Sequence, residues 1–183
     1  MPETSTDNRR GRPRCGKARQ CILDAALQMK AEKPISRISI EGIARYAGTG
    51  KSTIYRWWPS KGLLFLEAYL HKREVPDDAS FADLAVEYFA GGCGRMLVQL
   101  LGEAQHDAAL MSALHTELFD RMHSAYQSSD MSPGRYESAL GKLVFHLMTQ
   151  PDAFTSDEVE EIVAGFYDEE KPTLLSVAGK VLP

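Results

Sequence analysis

The stretch Ser39-Ile40-Glu41-Gly42-Ile43-Ala44-Arg45-Tyr46-Ala47-Gly48-Thr49-Gly50-Lys51-Ser52-Thr53-Ile54-Tyr55-Arg56-Trp57-Trp58-Pro59-Ser60-Lys61 decides the fold. Ile40, Ile43, Ala44 and Ala47 recur at helical spacing, and the Ser39 hydroxyl is placed to cap the helix they define. Gly48-Thr49-Gly50 breaks that helix. A second, short helix begins at about Lys51, sets Ile54 and Trp58 four residues apart on one inward face, and stops at Pro59-Ser60. Helix, glycine-containing break and short helix with polar residues outside is a helix-turn-helix pattern. Its second helix is thin enough to enter a B-DNA major groove about 12 Å wide. Ser52 and Arg56 point toward such a groove, flanked by Lys51, Thr53, Tyr55 and Trp57, and Ser39 and Thr49 are also expected among the DNA-binding residues. Arg56 carries a two-pronged donor suited to guanine edges, while Lys51 and Lys61 bring positive charge for phosphates. The plain alternative is a surface helix that happens to be basic. Gly48-Thr49-Gly50-Lys51-Ser52-Thr53 also imitates the end of a phosphate-binding P-loop, but that motif needs a glycine at position 45, where arginine stands, and a strand before it.

Working outward, the 3.6-residue period recurs throughout and period-2 alternation is nearly absent, so an all-α protein is expected. Ile22, Ala25, Ala26 and Met29 mark a first helix over about 17–32, ended by Lys33-Pro34. Ser60 caps a helix carrying Leu63, Leu64, Leu66, Ala68 and Leu70 to about Lys72, and Val75-Pro76-Asp77-Asp78 reads as a hinge. Beyond it, helices are expected at about 80–101, 107–127, 133–149 and 156–168. Met111, Leu114, Leu118 and Met122 form the stripe of the second of these. Thr155-Ser156-Asp157-Glu158 is a capping-box pattern at the head of the last. Gly91-Gly92-Cys93-Gly94 interrupts the first and signals a kink or a close helix crossing.

The chain has 183 residues and a formal net charge of −4, which hides a division. Residues 1–73 carry 15 Lys+Arg against 6 Asp+Glu, a balance of +9, and residues 74–183 carry 6 against 19, a balance of −13. One half suits a polyanion and the other repels it. Three cysteines, Cys15, Cys21 and Cys93, share no CxxC spacing and suggest neither a disulfide framework nor a zinc site, which fits a reducing cytosol. No apolar run of 18 residues and no signal-peptide pattern occurs, so a cytoplasmic protein without a membrane span is expected. Arg9-Arg10-Gly11-Arg12-Pro13-Arg14 ends a polar leader, and Arg10, Arg12 and Arg14 suit the narrow A·T minor groove as an extended arm. The plain reading of that arm is a solvated basic tail.

The segments Arg19 to Ala26, Ser39 to Gly48 and Lys51 to Lys61, in that order and spacing, resemble the DNA-binding domain of TetR-family transcriptional regulators over about residues 17–72. The resemblance implies an N-terminal three-helix helix-turn-helix domain at 17–73, preceded by a disordered basic arm at 1–16. A C-terminal helical ligand-binding and dimerisation domain follows at 74–183. It gives Lys51, Thr53, Tyr55 and Trp57 the recognition-helix contacts to bases and phosphates, and Lys61 the following phosphate contact. Thr49-Gly50 stands where the family often has Val-Ser, which implies a slightly weaker start to the recognition helix.

The acidic half shows no catalytic constellation: His106, His115, His123 and His146 are scattered without metal-ligand spacing, so neither an enzyme, a metal nor a cofactor is expected. Its apolar residues Met96, Leu97, Leu100, Leu101, Met111, Leu114, Leu118, Phe119 and Met122 read first as ordinary core. By resemblance they line a small-molecule effector pocket, and Tyr136, Leu140, Leu143, Leu147, Val159, Ile162 and Phe166 form the face of a homodimer. The implied function is a sequence-specific regulator, a repressor in the usual case, released from its DNA operator by an effector. The alternative is an effector-independent architectural DNA binder.

Overall fold

The computed structural model describes residues 13–71, 73, 75–150 and 154–167, and every regular element among them is helical. The chain divides into two compact units, Met1–Lys72 and Arg73–Pro183.

In the first unit α1 runs Pro13–Glu32, four residues earlier than its apolar stripe suggests. Proline is favourable at a helix start, where its missing N–H would have no partner and its φ is already helical. Arg14 therefore lies in α1 and not in an extended arm, while Arg10 and Arg12 lie outside the described residues. Ile22, Leu23, Ala25, Ala26 and Met29 bury the inner face of α1, which packs on α2 (Ile40–Tyr46) and α4 (Lys61–His71). Between α1 and α2 a 3-10 turn, Ile35–Arg37, drives Ile35 wholly into the core. A three-residue turn has no periodicity of its own to betray it in the sequence.

The second unit opens on two arginines that fasten its first residues. Arg73, its side chain 7% exposed, pairs with Glu87 at 2.9 Å and lies over the Tyr88 ring at 5.7 Å. Arg121 donates to the carbonyls of Val75 at 2.7 Å and Pro76 at 3.0 Å. Ser80 then caps α5 (Phe81–Phe89) through a capping box with Asp83, whose carboxyl is held below its usual range by the Ser80 hydroxyl and amide.

The single helix expected over 80–101 is two, because the chain turns at Ala90 before α6 (Gly91–Ala104). Gly91 takes a φ of +61° and donates to the Phe154 carbonyl at 2.6 Å. At Gly94 a side chain has no room: a Cβ would stand 2.1 Å from the Phe89 carbonyl oxygen and 2.6 Å from Leu147 Cδ2. The glycine run is thus a tight corner against α9 (Pro133–Thr149).

The helix expected at 107–127 is wound as α7 (Ala108–Leu114), a π-helical turn (His115–Phe119) and α8 (Asp120–Gln127). Its buried stripe is Leu110, Leu114, Leu118 and Met122, all at 0% exposure, while Met111 is only half-buried. At 3.6 residues per turn each four-residue step overshoots a full circle by about 40°, so three steps drift by about 120°. The π turn, closing i to i+5, winds in one extra residue worth about 100° and returns the stripe to one face.

Finally α9 and α10 (Ser156–Tyr167) pack together, and α10 also packs on α5. Glu158 completes the capping box foreseen at Thr155: it accepts from the Thr155 amide at 2.8 Å and hydroxyl at 3.0 Å, which hold its carboxyl below the usual range. Among the residues expected on a dimer face, Tyr136, Leu143, Val159 and Ile162 are buried inside this unit. The apolar stripe of each helix serves the subunit's own core first. Leu140, Leu147 and Phe166 are half-buried, and the large apolar side chains that α9 leaves outside are Phe145 and Met148, 67% and 69% exposed.

Candidate nucleic-acid interface

The Ser39 hydroxyl caps α2 by accepting from the Gly42 amide at 3.1 Å. Gly48 ends the helix with a φ of +64°, a conformation that costs other residues a Cβ clash. The Thr49 amide still reaches back to the Ala44 carbonyl at 2.9 Å, which fixes the angle at which the chain leaves α2. Gly50 then caps α3 (Lys51–Tyr55) without a side-chain bond. The helix is one turn shorter than its apolar spacing suggests, and Arg56 and Trp57 occupy the turn after it. No strand precedes Gly48-Thr49-Gly50-Lys51, since α2 leads directly into it, so the geometry of a P-loop is missing.

α3 is anchored by Ile54, 0% exposed, and by Trp58. The Trp58 indole N–H donates to Glu67 Oε2 at 2.8 Å. The same oxygen accepts from Arg19 Nη2 at 2.6 Å, and the Arg19 guanidinium lies 5.6 Å from the Trp58 ring centre. One carboxylate thereby ties α1, α4 and the end of the recognition segment together, while its other oxygen, Oε1, is buried with no hydrogen-bond partner. Sequence reasoning missed this link. The signal was available: Glu67 is the one charged residue in the run Gly62 to Leu70, and buried tryptophan N–H groups need acceptors.

What α3 leaves outside is the face the sequence assigns to a groove. Lys51, Ser52, Tyr55 and Arg56 are exposed, Thr53 and Trp57 are half-buried, and Tyr55 is 50% exposed. The Arg56 guanidinium lies 5.3 Å from the Trp57 ring centre, and Trp57 meets Trp58 edge-on at 5.6 Å. A guanidinium beside an aromatic ring makes that contact without using up its N–H donors, the groups a guanine edge would meet. Lys61 is partly buried and donates to the Ile35 carbonyl at 3.1 Å, which ties the start of α4 to the 3-10 turn. Lys51 pairs with Glu41 at 2.6 Å. Each holds the other's charge: the Glu41 carboxyl sits below its usual range and the Lys51 ammonium above, chiefly through their hydrogen bond.

A buried anchor, a glycine turn and a short helix carrying a lysine and a tyrosine outward, with an arginine in the turn that follows, define a helix-turn-helix module of the kind that transcriptional regulators use. Residues 22–68 match the family model of bacterial regulatory proteins of the tetR family. The chain is 28% identical over 123 residues to the uncharacterized HTH-type transcriptional regulator YdeS of Bacillus subtilis (strain 168), a match covering 61% of this chain and 62% of that protein. It is 28% identical over 102 residues to the uncharacterized HTH-type transcriptional regulator Mb2274c of Mycobacterium bovis (strain ATCC BAA-935 / AF2122/97), covering 53% and 50%. The matches thus span between half and two thirds of these relatives. The solved TetR family transcription regulator SCO0332 is similar at 26% identity and a TM-score of 0.58, over 85% of this chain and all of that one. Residues 22–68 are thus similar to the DNA-binding domain of TetR-family transcriptional regulators, and the fold of the chain is similar to that of a solved member.

Proposed function

We propose that the chain is a homodimeric repressor that places α3 of each subunit in successive major grooves of a palindromic operator and leaves it when a small molecule enters the acidic unit. The observation that carries the DNA half is the sidedness of α3 and the turn after it: Ile54 and Trp58 are buried while Ser52, Tyr55 and Arg56 are exposed. Two recognition helices must then sit about 34–36 Å apart, or a multiple, to meet the same DNA face. Arg10 and Arg12 would follow the adjacent minor groove. Selection from random duplex DNA tests this reading, with an enriched palindrome as the expected product. Enrichment of A·T content alone would favour the architectural alternative.

Arg56→Ala should cost about 1–3 kcal/mol on the selected operator and little on random DNA, because a base reader is lost and a phosphate contact is not. Competitive binding on the two duplexes checks it. A uniform loss would reassign Arg56 to the backbone.

The effector side rests on the core of the second unit. Met96, Leu97, Leu100, Leu114, Leu118 and Met122 are buried there, with Leu101, Met111 and Phe119 half-buried at its edge. An apolar interior bounded by a π turn suits a hydrophobic ligand, which shifts the equilibrium only by its differential affinity for the two states. For the dimer, the outward side of α9 offers Phe145 and Met148 three residues apart, one turn beyond the exposed Gly141. Light scattering should report a dimer at micromolar concentration, and Phe145→Asp with Met148→Asp should convert it to a monomer. A dimer unaffected by both changes would move the interface elsewhere.

A further inference from the structure

In the helix-turn-helix stretch 39–61 there are four cations, Arg45, Lys51, Arg56 and Lys61, and a single carboxylate, Glu41. That carboxylate is not on the far side of the module. It sits in the first turn of α2, its Oε1 2.6 Å from the Lys51 ammonium, and Lys51 is the first residue of α3. Both side chains are more than half exposed. An acidic residue at a helix start is favourable for that helix, so its presence in α2 has a local cause. Its partner does not follow from that cause: the carboxylate neutralises the lysine at the leading end of the recognition helix, where α3 would meet a phosphate.

We propose that Glu41 is a specificity-determining residue that keeps Lys51 occupied away from the operator and gives it up only to a phosphate held in register by base contacts. The inference rests on the DNA-binding function proposed above. On random DNA the backbone meets Lys51 without the support of base recognition, and Glu41 competes for the ammonium while repelling the phosphate. On the operator, the base contacts of α3 hold one phosphate in position long enough to displace the carboxylate. Nonspecific affinity is mostly charge neutralisation with counterion release, so one internal anion at the interface lowers it more than it lowers operator affinity. The ratio of the two therefore rises, and repulsion serves discrimination.

Glu41→Gln tests this, because it keeps the side chain's length while removing its charge. Binding of the full-length protein to the selected operator and to a random duplex is measured between 50 and 200 mM salt. The variant should bind random DNA severalfold more tightly, with its log–log salt slope steeper by about 0.9, which makes the gain about 3.5 times larger at the low end than at the high end. Operator binding should tighten less, so that the specificity ratio falls. In a Lys51→Ala background the same substitution should have a smaller effect, limited to the carboxylate's own repulsion of the backbone.

Unchanged affinities and slopes would overturn the inference. So would a loss confined to operators with a cytosine at one position, which would make Glu41 a base reader. Equal effects with and without Lys51 would overturn it as well, by assigning them to net charge alone. Failure of the parent reading is distinguishable, since wild-type protein would then enrich no discrete palindrome. An unchanged helical circular dichroism spectrum and melting curve keep the comparison free of a folding defect.

Discussion

Replacing Trp58 by alanine should lower the stability of the DNA-binding unit by about 3–5 kcal/mol, the range for removing a large buried aromatic side chain. The side chain is 3% exposed, so its volume is lost from the interior and not from the surface. Two further losses add to the cavity. Glu67, which already has one buried oxygen without a partner, loses the indole donor, and Arg19 loses the ring beneath it. Trp58→Phe separates these contributions: it keeps most of the apolar contact and deletes the N–H, for an expected cost of about 1–3 kcal/mol. Urea unfolding followed by circular dichroism checks both, because Trp57 and Trp58 are the only tryptophans and the variants alter any fluorescence probe. Equal losses in the two variants would put the whole effect in the polar link. No loss in the phenylalanine variant would remove Glu67 from the account of how α3 is held.

Gly94→Ala should destabilise the second unit by about 1–3 kcal/mol although it adds a single methyl group to a helix. The new Cβ would meet the Phe89 carbonyl oxygen at 2.1 Å, and a backbone atom of a preceding helix cannot rotate away as a side-chain end can. Relief requires opening the corner between α5 and α6, and with it the approach to Leu147 on α9. Gly102 on the same helix supplies a control of opposite sign. It is exposed, a Cβ there meets nothing within 4 Å, and Gly102→Ala should stabilise by about 0.5–1 kcal/mol through helix propensity. Denaturation midpoints of the two variants should lie on either side of the wild type. A common direction would mean that helix propensity, and not crowding, governs position 94.

Elements with strong local signals were legible in the residues alone. Ser39, Ser60 and Thr155 mark helix starts by chemistry that acts within three residues, and the structure has caps at all three. The inward pair Ile54 and Trp58 was legible because four-residue spacing fixes a helix face without reference to anything distant. What escaped depends on winding or on partners far along the chain. The break at Ala90 is set by a carbonyl of Phe154, and the choice of Leu110 over Met111 is set by the π turn downstream. The Arg19–Glu67 link spans 48 positions. On α9 periodicity says nothing of which apolar residues a helix keeps for itself and which it offers outward. Leu143 went inside and Phe145 did not. In the candidate site, the exposure of Ser52 and Arg56 opposite Ile54 and Trp58 was visible in the spacing, whereas the pairing of Lys51 with Glu41 across the turn was not.

The π turn at His115–Phe119 amounts to one surplus residue stored in the middle of a helix. Expelling it would act as a screw: everything C-terminal to it would revolve by about 100° relative to everything before. Arg121 is the second residue past the turn, and its grip on the Val75 and Pro76 carbonyls is lost by any such rotation. The helix that borders the unit's apolar interior therefore carries, two positions apart, a stored residue and the side chain that holds Val75 and Pro76.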